Sequence, residues 1–303
     1  MSRVLFVFLD GVGLGPGGPD NPFSTLDLPA FARLAGGAPW TTKAPALRRP
    51  DHVFVPLDAT LGLPGLPQSG TGQASLFTGA NAAALHGRHF GPYPPTTVRP
   101  LVAEQSVFAR LAGRVGADRL AFANAYPDRF FRFVEARGRW TVTTLAAHAA
   151  GVRLRRAADL DAGRALAADL TGERWRQLID PAHRPVSEAT AAARLAALLD
   201  DHAFVLSEYY LTDKAGHSRD PHRAAEVLRS LDRWLGALTE HVDPARDTLV
   251  ITSDHGNLED LSTKSHTRHP VPLLAWGAGA EAFAGARSLL DVTPAIGAVV
   301  GDG

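Results

Sequence analysis

The 303-residue chain contains no cysteine and a single methionine. Without cysteine there is no disulfide framework, no thiolate nucleophile and no thiolate metal site, so any metal must be held by nitrogen and oxygen donors. Charge of one sign is also missing: 31 basic residues balance 31 acidic ones, and no block of like charge interrupts the sequence. That argues against an extended nucleic-acid surface or an acidic-membrane surface, and leaves small polar substrates. Lysine is scarce, at Lys43, Lys214 and Lys264 only, and arginine supplies the remaining positive charge. Long apolar runs are absent as well. The run Val4–Leu9 is six residues, stops at Asp10 and lacks a small-residue cleavage site, so no signal peptide is expected there. No stretch approaches the roughly 18 apolar residues of a membrane span. The expectation is a cytoplasmic protein with neither nucleic acid nor membrane as partner. Oligomeric state is not addressed by any of these features.

What is present is a 45% apolar composition, enough at this length for one large core that carries a smaller insertion. Short apolar runs alternate with helical patterns, which predicts parallel strands buried on both faces. The strands expected are Val4–Leu9, Ala203–Leu206 (extending toward Leu211), Thr248–Thr252 and Val271–Trp276, with a weaker one at Leu120–Ala125. Helices are expected over Ser187–Leu199, His222–His241 and Asp291–Val300. The fold class is therefore α/β, a three-layer sandwich with a central, mostly parallel sheet. Residues 1–86 and 187–303 form the expected core. Residues 87–186, with "GPYPPTTVRP" and "YPDRFFRFVEARGRW", are expected as an inserted cap that contacts substrate.

Directly after the first strand, Gly13, Gly15 and Gly18 spell G-x-G-x-x-G, formally a dinucleotide fingerprint. A dinucleotide needs a helix N-terminus immediately after the glycines. Here Pro16, Pro19 and Pro22 favour turns instead, and no acidic residue follows about twenty positions later at a second strand end. The informative residue is the acid before the glycines, Asp10.

Asp10 is one of three aspartates placed alike. Asp213 follows "FVLSEYYLT" and Asp254 follows "TLVITS", so three apolar strands each run into an aspartate near their carboxyl ends, where open parallel sheets build their sites. Histidines accompany them: His217 in "DKAGH", His255 in "SDHGN", and His266 and His269 in "KSHTRHP". Asp213 and His217 are four apart, so one helical turn aims both at one ion. Asp254 and His255 are adjacent and must lie on the turn beyond a strand, because strand side chains alternate. Singly, such an aspartate is a cap or turn former and such a histidine a surface residue. Together they make a nitrogen and oxygen donor set suited to manganese or zinc.

A hydroxyl completes the pattern. In "GLPQSGTGQASLFTG", Ser69 and Thr71 lie in a flexible loop that turns helical, a position favourable to phosphate. A serine hydroxyl is a poor nucleophile at neutral pH and becomes a good one beside divalent metal.

The stretches "FVFLDGVGLG", "PQSGTGQ", "DKAGH", "TSDHGN" and "SHTRHPVPLLAWG" resemble, in this order, the metal-site motifs of the alkaline phosphatase superfamily, and most nearly its metalloenzyme branch with the phosphopentomutases and cofactor-independent phosphoglycerate mutases. The resemblance covers about residues 1–85 and 188–303. It implies one metal on Asp10, Asp254 and His255, a second on Asp213, His217 and His266, manganese or zinc as the ions, and Ser69 as the phosphorylated nucleophile with Thr71 as the alternative. His269 lies past the matching ligand and is expected either to support the ligands from behind or to face substrate. Two of the three lysines, Lys214 and Lys264, fall inside these motifs and are candidates for neutralising phosphate or nucleophile. Arg129 and Arg268 are further substrate candidates, with Arg132 and Arg137 offering the same chemistry in the cap.

The expected function is a two-metal phosphotransfer enzyme, a phosphomonoester hydrolase or phosphomutase, acting on a small phosphorylated metabolite through phosphoserine. Phosphoglycerate mutase or phosphopentomutase activity proper is an alternative. Against it, the middle segment does not match the mutases' substrate domains, and Gln73 stands where both mutases have histidine. A non-catalytic metal-binding protein is the reading of a different class, and it would require missing ligands.

Overall fold

The computed structural model describes residues 2–301. Nine strands occur in chain order: β1 Arg3–Leu9, β2 Leu47–Arg49, β3 His52–Leu57, β4 Leu120–Phe122, β5 Ala125–Tyr126, β6 Arg155–Arg156, β7 Phe204–Tyr209, β8 Asp247–Thr252 and β9 Val271–Gly277. Seven of them form one sheet in the order β2-β3-β9-β8-β1-β7-β4, and β5 with β6 makes a small separate pair. The central strand β1 pairs in parallel with β8 on one side and β7 on the other.

The period of two in β1 divides the core. Val4, Phe6 and Phe8 enter one apolar layer, and Leu5, Val7 and Leu9 the opposite one. Helices Ser69–Thr78, Val107–Val115, Val142–Ala149 and Val292–Gly301 cover the first face, supplying Phe77, Phe108, Val142 and Ile296. Helices Pro29–Leu34, Glu188–Ala197 and Pro221–His241 cover the second with Phe31, Leu195, Leu228 and Trp234. Burial on both faces explains why the strands read as continuous apolar runs. The expected three-layer α/β sandwich is the architecture observed.

Three features differ from the sequence expectation. Strand β9 runs antiparallel to β8, β3 antiparallel to β9 and β2 antiparallel to β3, so that side of the sheet is antiparallel and the sheet as a whole is mixed. Strands β2 and β3 were not anticipated. Pro56 sits opposite Pro272 in the β3–β9 register, so two residues that cannot donate face each other. The stretch 87–186, expected as a cap, also supplies β4 as the seventh strand, paired in parallel with β7, and core helices from Arg99 to Val115 and over Val142–Ala149.

The helix Pro221–His241 begins where Asp220 accepts the His222 amide at 2.9 Å and Pro221 occupies the first turn. Its buried acid Asp232 accepts the Ala30 and Phe31 amides at 2.9 and 3.0 Å. These are first-turn donors of the helix Pro29–Leu34, whose own N-cap, Leu28, offers no side-chain acceptor. A carboxylate about 200 residues away in sequence thus performs the capping. Asp232→Ala is expected to lower stability by about 1–3 kcal/mol, read from urea unfolding; a change under about 0.5 kcal/mol would contradict this capping role.

Candidate metal centre

The carboxyl ends of β1, β7 and β8 lie side by side, and the loops leaving them bring the acids together. Asp10 follows β1 directly, and Asp254 lies two residues past β8 on a turn. After β7 the chain enters the helix Leu211–Ser218, whose first turn holds Asp213 and whose last holds His217. His266 arrives on the long β8–β9 connection, pinned where the Thr267 amide donates to the Gly256 carbonyl at 2.9 Å.

Two groups of donors result. In the first, His255 Nε2 lies 3.3 Å from Asp10 Oδ1 and 3.5 Å from Asp254 Oδ2. In the second, His217 Nε2 is 3.3 Å from Asp213 Oδ2, and His266 Nε2 is 3.2 Å from His217 Nε2 and 3.7 Å from Asp213 Oδ1. Within each group, one ligand atom from each residue lies within 4.8 Å of the others. The groups adjoin, since the His255 and His266 rings stack at 3.7 Å between centroids.

Each imidazole is oriented from behind. His217 Nδ1 is 2.8 Å from the Lys264 carbonyl, His266 Nδ1 is 2.8 Å from the Pro67 carbonyl, and His255 Nδ1 is 3.4 Å from the Gly256 carbonyl. A carbonyl only accepts, so each Nδ1 carries the hydrogen and each Nε2 is left to face its group of carboxylates. The facing Nε2 atoms of His217 and His266 then present two lone pairs to each other, which a cation reconciles. Asp10 Oδ1 and Asp254 Oδ2 are buried without a hydrogen-bond partner. Orphaned inward carboxylate oxygens beside imidazole lone pairs are the donor chemistry of a divalent metal, so the residues fit the expected ions.

The electrostatics agree. Burial, reinforced by the Asp254 charge, pushes Asp10 up to about 8, and burial likewise raises Asp254. For His255, burial works against the proton, but the Asp254 and Asp10 carboxylates outweigh it and raise the group to about 10. Burial, with repulsion from His255, pushes His266 down to about 4. Without a cation, then, protons balance the charge in this cluster.

Ser69 is the first residue of the helix Ser69–Thr78, and its Oγ lies 3.0 Å from His255 Nε2, within the first donor group. Thr71 Oγ1 is instead engaged by the Phe90 amide at 3.0 Å. Gln73 reaches Asp10 Oδ2 at 3.5 Å. Lys214 Nζ stands 4.5 Å from the Tyr210 ring centroid, beside the second group. The Lys264 side chain is exposed, and its backbone carbonyl is what meets His217. Arg129 is exposed and donates to the Leu178 carbonyl at 3.4 Å; Arg268, also exposed, donates to the Gly65 carbonyl.

Two supporting residues were missed in the sequence. Asn257 Nδ2 donates to Asp213 Oδ1 at 2.7 Å and to the Asp213 carbonyl at 3.1 Å, tying the "TSDHGN" loop to the "DKAGH" helix. Glu259, 1% exposed, accepts the Gly13 and Asn257 amides at 2.8 Å each, the Thr267 hydroxyl, and His269 Nδ1 at 3.1 Å. His269 is therefore bound to Glu259, which raises its pKa. The glycine fingerprint also finds its reason here. A Cβ at Gly13 would collide with the Glu259 carboxylate, and one at Gly15 would lie 2.8 Å from Glu259 Cγ, so both glycines admit a buried acid. The signal available in sequence was an acid four residues past His255, close to a glycine-rich first loop.

The family described as Metalloenzyme superfamily matches residues 182–299. A 2,3-bisphosphoglycerate-independent phosphoglycerate mutase of Pyrococcus horikoshii is 36% identical over 93 residues, 31% of this chain and 22% of that protein. A phosphopentomutase of Chromohalobacter salexigens is 40% identical over 80 residues, 26% of this chain and 19% of that protein. The matched stretch thus spans about a fifth of these curated relatives. Among solved structures, a Pyrococcus horikoshii protein aligns with TM-score 0.58 at 18% identity, covering 100% of this chain and 97% of the other. The alkaline phosphatase of the Antarctic bacterium TAB5 aligns with TM-score 0.52 at 12% identity, over 98% of each chain. A Leishmania mexicana phosphoglycerate mutase aligns with TM-score 0.53 at 14% identity, over 99% of this chain and 95% of that one. The resemblance read from the five motifs is borne out, by sequence over the carboxy-terminal part of the core and by fold over the whole chain.

Two measurements test the centre. Asn257→Ala is expected to weaken manganese or zinc binding by about 10–100-fold in calorimetry, because it frees Asp213 without removing a ligand; unchanged affinity would refute the positioning role. In metal-free protein, Asp10 and His255 both hold protons in the folded state that the unfolded chain releases from their ordinary values of 3.8 and 6.5. Their stabilisation is complete below those values and lost as pH rises through about 8 and about 10. His266 has the opposite sign, confined between about 4 and its ordinary 6.5. Above pH 6.5, therefore, the urea midpoint of chelator-treated protein should fall with rising pH, and a rising midpoint would contradict the assigned charges.

Proposed function

With the fold and motifs of the metalloenzyme branch of the alkaline phosphatase superfamily as premise, we propose that this chain is a two-metal phosphotransfer enzyme that takes the phosphoryl group of a small phosphorylated metabolite onto Ser69. The observation that carries this reading is the placement of Ser69 Oγ, 3.0 Å from His255 Nε2 at the start of a helix. A conserving structural loop would need no hydroxyl there.

Asp10, Asp254 and His255 would hold one divalent ion, and Asp213, His217 and His266 the other, with manganese or zinc suited to the mixed imidazole and carboxylate set. When bound, such ions neutralise phosphoryl oxygens and favour the serine alkoxide. The chain's own groups do the rest. The helix start places the Ser69 hydroxyl beside His255, against the donors that would hold the first ion, and adds the partial positive charge of its free amides. The Ser69 and Gly70 amides carry no hydrogen bond among the described residues, whereas the Thr71 amide is taken by the Phe90 carbonyl. Two donors thus remain for phosphoryl oxygens. Ser69 Oγ gives up its proton and forms the new P–O bond as the bond from phosphorus to the substrate oxygen breaks, and the released oxygen takes up one proton from solvent, so that no net proton is gained or lost.

The acceptor in the second half of the reaction is water for a hydrolase or a hydroxyl of the same substrate for a mutase. Residues 124–141 and 150–186, which flank the site without joining the main sheet, are the part of the chain suited to select substrate and to admit or exclude water. The stretch comprises β5, β6 and the helices Asp128–Arg137 and Glu173–Leu178.

Manganese- or zinc-loaded protein, assayed against a panel of phosphomonoesters, should turn over at least one and show a phosphorylated Ser69 peptide by mass spectrometry after acid quench. Ser69→Ala should lower turnover by at least about 10³-fold. Full activity in that variant would place the nucleophile elsewhere. Metal binding without turnover of any phosphomonoester would leave the non-catalytic reading.

A further inference from the structure

Outside the metal centre, the helix Asp128–Arg137, Trp140, the end of the helix Val142–Ala149 and residues 151–156 line an open cleft of about 780 Å³. That volume lies in the range of small-molecule sites. None of the six donors lines it, and neither does Ser69. Its apolar lining comes from the buried side chains of Val134, Val152 and Leu154. Two stacked pairs share the lining. The His148 ring lies against the Trp140 indole at 4.4 Å between centroids and 12° between planes, and the Arg156 guanidinium lies over the Phe131 ring at 3.8 Å. His148 and Arg156 are exposed, and neither has a second stacking partner among the described residues. Each pair therefore ends on a flat, solvent-accessible surface of the kind on which planar rings stack.

The polar groups of the cleft narrow what it can hold. Arg153 forks onto Asp159 at 2.8 and 2.9 Å, and Arg156 reaches Asp128 at 2.9 Å, so both guanidinium groups already have a carboxylate. Glu135 is exposed and has no ion pair or hydrogen bond among the described residues, not even with Arg132 one turn back on its helix. The Trp140 indole N–H likewise donates to no protein acceptor among them. The one charged side chain of the lining left without a partner is thus an acid, which disfavours an anionic ligand and favours one that offers N–H groups. Beside it stands one uncommitted donor.

We propose that this cleft binds a planar heteroaromatic amine, a ring of the adenine or cytosine kind, stacked against the His148 imidazole with its exocyclic amino group donating to Glu135 and a ring nitrogen accepting from Trp140. Adenine and cytosine each carry an amino donor next to a ring-nitrogen acceptor, the complement of the uncommitted pair. Hypoxanthine and uracil carry a carbonyl in place of that amino group and would set an oxygen against the carboxylate. The site uses no metal ligand and does not rest on the phosphotransfer reading, so it stands or falls separately from Ser69.

The test is calorimetric titration of the metal-loaded full chain with adenosine, inosine, cytidine and uridine, none of which carries phosphate to engage the metal centre. For at least one of the pairs adenosine–inosine and cytidine–uridine, the amino-bearing member should bind about tenfold or more tighter. Glu135→Ala should collapse that ratio to within about twofold, whereas Glu240→Ala, exposed near the end of another helix, should retain it. His148→Ala should weaken both members of the pair by about fivefold or more and leave their ratio unchanged, which separates stacking from amino recognition. Trp40, Trp175, Trp234 and Trp276 do not line the cleft, so the change in tryptophan fluorescence on nucleoside binding should vanish in Trp140→Phe. No binding at millimolar nucleoside, equal affinities within both pairs, a ratio that survives Glu135→Ala, or a fluorescence change that survives Trp140→Phe would each overturn the site. Phosphotransfer assays judge Ser69 and do not enter these ratios.

Discussion

Three carboxylates drawn together at the ends of neighbouring strands set the terms for the rest of this molecule. Asp10 and Asp254 are buried at adjacent strand ends, and Asp213 lies one loop away. Anions at that spacing in a poorly solvated place cannot all persist without cations or protons. The fold answers by aiming three imidazoles at them, each held by a backbone carbonyl so that Nε2 faces inward. The local choices around the site meet that need: a parallel β8-β1-β7 centre that aligns the strand ends, loops that leave the sheet immediately after them, and a helix whose first and last turns carry Asp213 and His217.

The loops are themselves held by an acid outside both donor groups. Glu259 gathers donors from the β1 loop, the β8 loop and the segment after His266, so one buried carboxylate sets the relative positions of three motifs. A buried carboxylate is costly alone and well accommodated when four donors satisfy it. The arrangement demands glycine where the first loop passes, which is why a sequence pattern that imitates a nucleotide cradle occurs in a chain whose prolines forbid the helix such a cradle needs.

These two layers were unequally legible. The strands β1, β7 and β8, the long helix after Asp220 and the convergence of six carboxylate and imidazole donors could be read because each combines a local signal with a position, apolar runs ending in acids. Glu259 and Asn257 could not, since their importance lies in partners some 250 and 44 residues away in sequence, and neither type of residue in a loop signals such a partner. Strand β3 escaped because Pro56 argues against a paired strand, a difficulty the structure removes by placing Pro56 opposite Pro272. The reversed direction of β9 was hidden by the connection from 253 to 270, long enough for a crossover and used instead to deliver His266. Strand β4 was legible only weakly, inside an expected Leu120–Ala125, because three residues carry little period; that it joins the main sheet beside β7 could not be read from it.

The stretch 87–186 proves to be two things at once, and this bears on how the site is controlled. Its helices Arg99–Gln105, Val107–Val115 and Val142–Ala149 are bound into the main apolar layer through Val102, Phe108 and Val142, while Ala125, Leu160, Ala165, Ala167 and Trp175 form a small apolar cluster of their own. The seam between them is polar and specific: Asn124 exchanges hydrogen bonds with the Glu208 backbone, and Thr143 donates to the buried Glu208 carboxyl, which burial raises to about 7. An insertion anchored by buried helices and a satisfied polar seam has little freedom to swing as a separate domain, because moving it would expose apolar surface and strand those polar groups. Around the donor groups at the carboxyl ends of β1, β7 and β8, an insertion anchored in this way leaves side-chain rotations and short-loop shifts as the movements that cost least.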